Sequence, residues 1–245
     1  MLPLAAYATE TGLGRRIDYD RLDQLYLHRD QSSNLDENLA RIEALFGESR
    51  SMESDPQLLW RKCRALVRRG EKKEKKSDRL ADYDLARKDC EKSVALSSAS
   101  AEAHFWLGVA MGRRGEATGL LKSLFMIKPI RREMAETLKL DADHGGAHHV
   151  LGEILWQLPG FAGGDKKKAL AEFETAVRSS PNYTSNHQSL AEAYLYFKRK
   201  EDAIRVLLAV EAVVEPADPA EYSDNLADAR KLLTRLDVVG ISSHR

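Results

Sequence analysis

Hydrophobic residues recur every three to four positions along most of this chain of 245 residues, which is the spacing of one face of an α-helix. Runs of alternating β-branched residues, which would predict strands, are missing from the sequence. No stretch approaches the roughly 20 apolar residues that a membrane-spanning helix needs. The pattern therefore predicts an all-α chain without a transmembrane segment.

A longer repeat underlies this periodicity, and it has four copies. In each copy a small-residue position is followed by a large residue three positions later, and these small-residue positions are occupied by Arg64, Gly108, Gly152 and Ala191. In three copies the second half carries an alanine four residues before a large residue or a cysteine, as Ala86 and Cys90, Ala169 and Phe173, and Ala203 and Leu207. Such a pattern is typical of antiparallel helix pairs, because the small residue lets the two helices approach closely.

The spacing of the copies predicts insertions. The equivalent positions lie 44, 44 and 39 residues apart, whereas helix-pair repeats of this kind have a period of about 34 residues. We place the extra residues in long loops between the two helices of a pair, at 70–76, 119–129 and 158–164.

Helix starts agree with this phasing. Asp55 and Asp218 each precede a proline, which places an N-cap acid before a proline at the first helical position. Glu221 follows Asp218 by three residues and predicts a capping box. Asp165 is expected to cap the helix after the third insertion.

The ends of the chain frame one domain. Residues 17–29 and 35–46 predict a degenerate first helix pair, and 220–236 an amphipathic helix that caps the stack. We therefore expect a helical solenoid over 17–236, with tails at 1–16 and 237–245. The tail at 1–16 includes Ala6-x-Ala8, the small-residue pattern before a signal-peptidase site, so it is either a signal-peptide remnant or a frayed terminus.

These motifs resemble the tetratricopeptide-repeat (TPR) superfamily across residues 17–236. The resemblance implies a TPR-like α-solenoid of antiparallel helix pairs with long intra-repeat loops and a C-terminal capping helix. The blocks 141–152 and 158–165 resemble bacterial TPR proteins similar to the T-component of TRAP transporters, an exported accessory subunit, which implies a periplasmic or exported protein rather than a cytoplasmic one. That family is usually anchored through an N-terminal cysteine, and no cysteine precedes Cys63 here. His104-x-Trp106 and the long second loop also resemble the regulator of microtubule dynamics family.

The net charge narrows the class of partner, and the two cysteines have two possible states. Lys and Arg together number 38, as do Asp and Glu, so the net charge is zero, which argues against nucleic acid. Cys63 and Cys90 fall at inward-facing helix positions, where small buried side chains are the default, although export would allow them to pair.

Two clusters have the composition of a chemical site. His144, His148, His149 and Glu153 are close in sequence, and His149 and Glu153 have the i, i+4 spacing of two metal ligands on one helix, so a metal-dependent function is the alternative hypothesis. The simpler interpretation assigns these histidines to packing and to the open helix face.

The glycine- and lysine-rich stretch 160–168 lacks the preceding strand and the Ser or Thr of a phosphate loop. We therefore expect neither a cofactor nor enzymatic activity.

The resemblance implies a protein-interaction module, since the first helix of each TPR pair lines a concave groove. The oligomeric state is left open. The predicted contacts to a protein or peptide partner are Arg61, Arg68, Arg69, Phe105, Arg113, His149, Glu153, Trp156, Gln188, Glu192 and Tyr196. The arginines at one end of this set predict contact with acidic groups, and the other end is acidic and aromatic.

Overall fold

The computed structural model describes residues 17–31 and 33–236, and within these ranges it contains helices and their connections but no strand. The helices are α1 Tyr19–Leu27, α2 Asn34–Glu48, α3 Pro56–Glu71, α4 Lys76–Leu96, α5 Ala101–Thr118, α6 Leu120–Leu140, α7 Gly145–Gln157, α8 Lys166–Ser179, α9 Ser185–Tyr196, α10 Lys200–Glu211 and α11 Pro219–Arg235. Single 3₁₀ turns lie at Met52–Ser54 and Gly160–Ala162. The predicted tails at 1–16 and 237–245 lie outside the described residues. None of the described helices is long and apolar enough to cross a membrane.

Four helix pairs form the stack: α3 with α4, α5 with α6, α7 with α8, and α9 with α10. The helices of a pair approach closely at the predicted small residues. A Cβ atom added to Gly152 would lie 2.5 Å from Phe173 Cε1, and one added to Gly108 would collide with Met134 Cε. Ala191 is fully buried. The predicted α-solenoid of antiparallel pairs is therefore confirmed.

The second predicted long loop is wrong, because its extra residues lengthen a helix, and the first is a short connection at the predicted place. Only residues 72–75 separate α3 from α4, and Gly119 alone separates α5 from α6. The helices α4 and α6 each have 21 residues, and α6 continues through Pro129. Lys, Leu and Met, which fill these insertions, are good helix formers, so a helix can absorb them. The third insertion is a connection as predicted, with Gly163 in the left-handed region at φ 89°.

Helix caps follow the local rules in two of the three predicted places. The Asp55 carboxylate accepts hydrogen bonds from the backbone N–H groups of Gln57 and Leu58, and Asp165 does the same for Lys167 and Lys168. The capping box predicted at the start of α11 is absent, since the side chain of Asp218 makes no capping hydrogen bond. The carboxylates of Asp218 and Glu221 bind arginines instead.

The hydrophobic side chains divide the solenoid into two units. The amino-terminal unit (α1–α7) buries a core centred on Trp60, Trp106 and Met134 and a smaller cluster around Ile42. The carboxy-terminal unit (α8–α11) buries a core centred on Phe173 and Leu207. Helix α7 contributes to both cores, because its Ile154 packs on the first, and Leu155 and Trp156 pack on the second.

Two features complete the units. Cys63 on α3 and Cys90 on α4 are fully buried and joined by a disulfide, which resolves the alternatives that the sequence left open. At the other end, α11 packs on α9 and α10 and buries Ala229 and Leu233. This helix lies where the capping helix was predicted.

Candidate functional site

The predicted groove residues do not form one continuous open surface. The arginines of α3 contact acidic side chains of the same chain, and Phe105, Arg113 and His149 lie partly covered in the middle. The exposed residues of the set are Gln188, Glu192 and Tyr196 on α9, and Glu153 and Trp156 on α7 are half-buried. The predicted groove residues, which we call the row, therefore fall into three regions with different chemistry.

At the amino-terminal end, two of the three arginines are bound by single aspartates. Arg61 Nη2 lies 2.8 Å from Asp23 Oδ2 on α1, and its guanidinium stacks on the rings of Trp60 and Tyr19. Arg69 Nη2 lies 2.5 Å from Asp82 Oδ1 on α4. Arg64, at the small-residue position, also binds Asp23. These ion pairs attach α1 and α4 to α3.

The third arginine, Arg68, belongs to an ionic cluster that joins the two ends of the solenoid. We define this ionic cluster as Arg29, Arg68, Asp218 and Glu221. Both Nη atoms of Arg29 donate to the Asp218 carboxylate at 2.8 Å, across 189 residues of sequence, and Nη2 also donates to Glu221 Oε1 at 2.7 Å. Arg68 Nη1 lies 3.0 Å from the same Glu221 oxygen.

Further charges surround the ionic cluster. Arg68 Nη1 also lies 3.0 Å from Glu71 Oε2, and Arg113 Nε lies 2.7 Å from Glu71 Oε1. Burial works to lower the pKa of Arg68, but its interactions with Tyr26, Tyr183, Glu71 and Glu221 outweigh this effect and hold that pKa well above its ordinary value. Burial likewise raises the pKa of the Tyr183 phenol. The arginines here are therefore permanently charged.

In the middle of the row, aromatic packing replaces ion pairs. The Phe105 ring lies 5.3 Å from Trp106 and 4.6 Å from His144, centroid to centroid. His149 faces Phe173 at 5.8 Å, and its Nδ1 is buried without a hydrogen-bond partner. Burial lowers the pKa of His149, so its imidazole is neutral near pH 7.

At the carboxy-terminal end, α7 and α9 present an aromatic face, which we define as Trp156 and Tyr196 with Glu153, Gln188 and Glu192. The two rings meet edge to face at 5.2 Å, and Tyr196 is 59% exposed. The Lys166 ammonium lies 3.9 Å from the centroid of the Trp156 ring. The Tyr196 ring is thus open to solvent at the end of α9 and rests on the half-buried Trp156 ring.

The carboxylates of the aromatic face have neutral partners. Glu153 accepts from Ser189 and Gln157, each at 2.8 Å, and Glu192 accepts from Gln188 at 3.1 Å. Among the residues that the structure describes, no cation forms an ion pair with Glu153 or Glu192. This end of the row therefore carries negative charge that is hydrogen-bonded but not neutralised.

The metal-site hypothesis finds no support in the described residues, where no three His, Cys, Asp or Glu side chains gather as metal ligands. His144 Nδ1 accepts from the Ala147 N–H as the cap of α7, and His148 Nδ1 lies 2.7 Å from Glu172 Oε2. His149 packs on Phe173, while Glu153 binds Ser189. Adjacent helical residues point about 100° apart, so closeness in sequence did not bring these side chains together.

Four residues with defined roles escaped the sequence analysis: Arg29, Asp218, Glu221 and Lys166. Asp218 and Glu221 had a sufficient local interpretation as a capping box, and nothing in the repeat pattern relates them to Arg29. Lys166 lies in the lysine run that was considered only as a phosphate loop. In the sequence, the indication of a shared role was that the acids Asp218 and Glu221 lie three positions apart.

The architecture defines the class of protein. A thermophilic TPR protein of Thermus thermophilus superposes with a TM-score of 0.62 at 17% identity, over 87% of this chain and 99% of that one. The C-terminal part of a TPR repeat-containing protein of Cytophaga hutchinsonii gives a TM-score of 0.49 at 15% identity, over 91% and 80% of the two chains. The first likeness confirms that the fold is a TPR solenoid.

The sequence places the chain within that class. The model of the family of regulator of microtubule dynamics protein 1-3 matches residues 18–158, more than half of the chain, and the chain therefore belongs to that family. No curated protein matches the chain. The resemblance to the T-component of TRAP transporters stays a prediction.

Proposed function

We propose that the chain is a non-enzymatic scaffold that binds a segment of a partner protein on the aromatic face of α7 and α9. The TPR fold supports the general role of protein binding. The observation that supports this location is the exposed Tyr196 ring, packed edge to face on Trp156 beside two carboxylates without ion pairs.

The chemistry of the aromatic face favours a partner segment with lysine or arginine. Tyrosine and tryptophan supply large, rigid contact areas and dominate the binding energy of many interfaces. Ring faces attract cations, and the position of Lys166 over Trp156 is an example within this chain. Glu153 and Glu192 add negative charge next to the rings, so a basic residue would gain both contacts.

The proposal leaves out three of the predicted contacts. Arg61, Arg68 and Arg69 already have carboxylate partners within the chain, and a partner would have to displace those. Phe105, Arg113 and His149 border the aromatic face and would contact a longer bound segment. The expected site is therefore the carboxy-terminal part of the predicted groove.

A finer form of the proposal is an exported accessory subunit. The disulfide between Cys63 and Cys90 supports it, because disulfides persist mainly in oxidising compartments. Thiol titration of denatured protein purified from its native host under alkylating conditions tests this point. No free thiol is expected, and two free thiols would contradict export.

Partner capture by matched variants tests the proposed site. Trp156→Ala and Tyr196→Ala should lose the proteins that the immobilised wild-type chain captures from its host. Phe161→Ala is the control, since Phe161 is also an exposed aromatic residue but lies in the α7–α8 connection. Melting temperatures show whether each variant stays folded. If Tyr196→Ala retains every partner that Phe161→Ala retains, the aromatic face is not the site.

A further inference from the structure

The start of α11 departs from the usual rules of helix capping. Asp218 stands at the N-cap and precedes a proline, yet its carboxylate makes no capping hydrogen bond. It is directed to Arg29 instead, and the side chains of Arg29 and Asp218 are almost fully buried, at 4% and 6% exposure. Departures from local rules are expected where a residue serves another purpose.

The basic half of the ionic cluster belongs to the amino-terminal unit. Arg29 follows α1, its guanidinium lies over the Tyr26 ring and donates to the Tyr26 carbonyl, and Lys72 binds the Arg29 carbonyl at 3.0 Å. Arg68 lies on α3. Both arginines fall within the family-matched residues 18–158, whereas Asp218 and Glu221 lie outside that range.

The arginine pair requires carboxylates. Within the described part of the chain, the ion pairs of Arg29 are with Asp218 and Glu221 alone. Glu71 partly neutralises Arg68 but makes no ion pair with Arg29. A buried charge that loses its partner is strongly unfavourable, so this site is always occupied by acidic groups or opened to water.

We propose that Arg29 and Arg68 form a receptor for a segment with two carboxylates three residues apart, and that residues 218–221 occupy it as an internal ligand. An acidic partner segment of the same spacing displaces them. This binding site goes beyond the proposed function, because it shares no residue with the aromatic face and either one can fail alone.

The tether decides how such competition proceeds. Residues 218–221 are held beside the receptor by the rest of the chain, so their effective concentration is high and an untethered segment competes poorly. Replacing both internal carboxylates by amides removes the charge and keeps the shape. The internal segment then binds the arginines more weakly, so an added acidic ligand competes with it more effectively.

The experiment measures fluorescence anisotropy of a labelled peptide with the sequence of residues 215–223, added to the full-length chain. Binding to the Asp218→Asn/Glu221→Gln variant should be at least tenfold tighter than to the wild type. Adding Arg29→Gln to that variant should abolish binding, and so should Asn and Gln at the two acidic positions of the peptide. An Asp224→Asn/Asp228→Asn variant, with the same charge change on exposed residues of α11, should behave as the wild type.

Equal affinity of the peptide for the wild type and the doubly amidated variant, or no binding to the folded variant, would overturn the proposal. Should that variant fail to fold, hydrogen exchange on the wild type gives the answer. Millimolar acidic peptide should accelerate exchange at the backbone amides of the first half of α11, and the amide peptide should not. Identical exchange with both peptides would also overturn it.

Discussion

The two units of this solenoid are built on the same repeat but are stabilised differently. The amino-terminal unit has long helices, up to 21 residues, a disulfide, and arginines stacked on Tyr19, Tyr26 and Trp60. The carboxy-terminal unit has helices of 12 to 17 residues and a core in which alanines alternate with Phe173 and Leu207. The family match ends at residue 158, where α7 ends and the connection to the second unit begins.

This difference separates what is general in the fold from what is particular to the chain. The carboxy-terminal unit follows the TPR pattern closely, and its helix α9 presents the aromatic face together with α7. The amino-terminal unit uses its polar groups in internal ion pairs. The units meet through α7, which packs on both cores, and through the ionic cluster, which connects the two ends of the described chain.

The largest expected effect comes from breaking the ionic cluster between the units. Arg29→Met removes the buried partner that holds the Asp218 carboxylate, leaving Arg68 as the remaining cation of the cluster, and should lower the free energy of unfolding by about 3–5 kcal/mol. Arg21→Met removes an exposed arginine of α1 that pairs with Glu37, and should cost less than about 1 kcal/mol. Urea unfolding measures both. Equal, small losses would mean that the cluster does not hold the ends together.

Reducing the disulfide should act on one unit alone. The bond closes a loop between residues 27 apart and should stabilise the amino-terminal unit by about 3 kcal/mol. Hydrogen exchange with and without reductant should show faster exchange in α3 and α4 and little change in α9 and α10. Uniform acceleration along the chain would show that the two units unfold as one.

Overpacking the junction at α7 is the next test. Gly152→Leu must displace the Phe173 ring and should cost about 1–3 kcal/mol. Gly47→Leu is the matched control, because Gly47 also lies in a helix and a Cβ atom added there would have nothing within 4 Å. Thermal melts compare the two variants. If Gly152→Leu is as stable as Gly47→Leu, the close contact between α7 and α8 at this residue is wrongly placed.

Of the expected effects, the smallest is the loss of stability of the carboxy-terminal half in acid. Burial lowers the pKa of His149 and of His187, so the unfolded chain binds more protons than the folded one as the pH falls below about 6.5. Stability is therefore lost on acidification, by at most about 1.4 kcal/mol per pH unit for each group. His149→Gln/His187→Gln should flatten the decline between pH 7 and pH 5. If stability declines as steeply in the double variant, groups other than these two histidines cause the loss.

Local features of the fold could be predicted from the sequence, whereas contacts between distant segments could not. Asp55 caps residues two and three positions away, and the role of Gly152 follows from its place in the repeat. Residues 119–129 were misplaced in a loop because a fixed repeat length was assumed, and a helix can absorb extra residues. Asp218 fits a capping box locally, and only the folded chain brings Arg29 to it.

The candidate site divides in the same way. Helical spacing alone places Trp156, Gln188 and Tyr196 on exposed or partly exposed faces of α7 and α9. The same spacing also placed Arg61, Arg68 and Arg69 in the groove, but it contained no information about the carboxylates that bind them. Whether a partner contacts any of these residues is still a prediction.

Hydrogen exchange of the full-length chain, with and without a captured partner, tests the proposed role most directly. The account predicts slower exchange at residues 153–157 and 188–197, the segments that carry the aromatic face, and unchanged exchange on α4. Protection confined to α4 and α6, with none on α7 or α9, would contradict it.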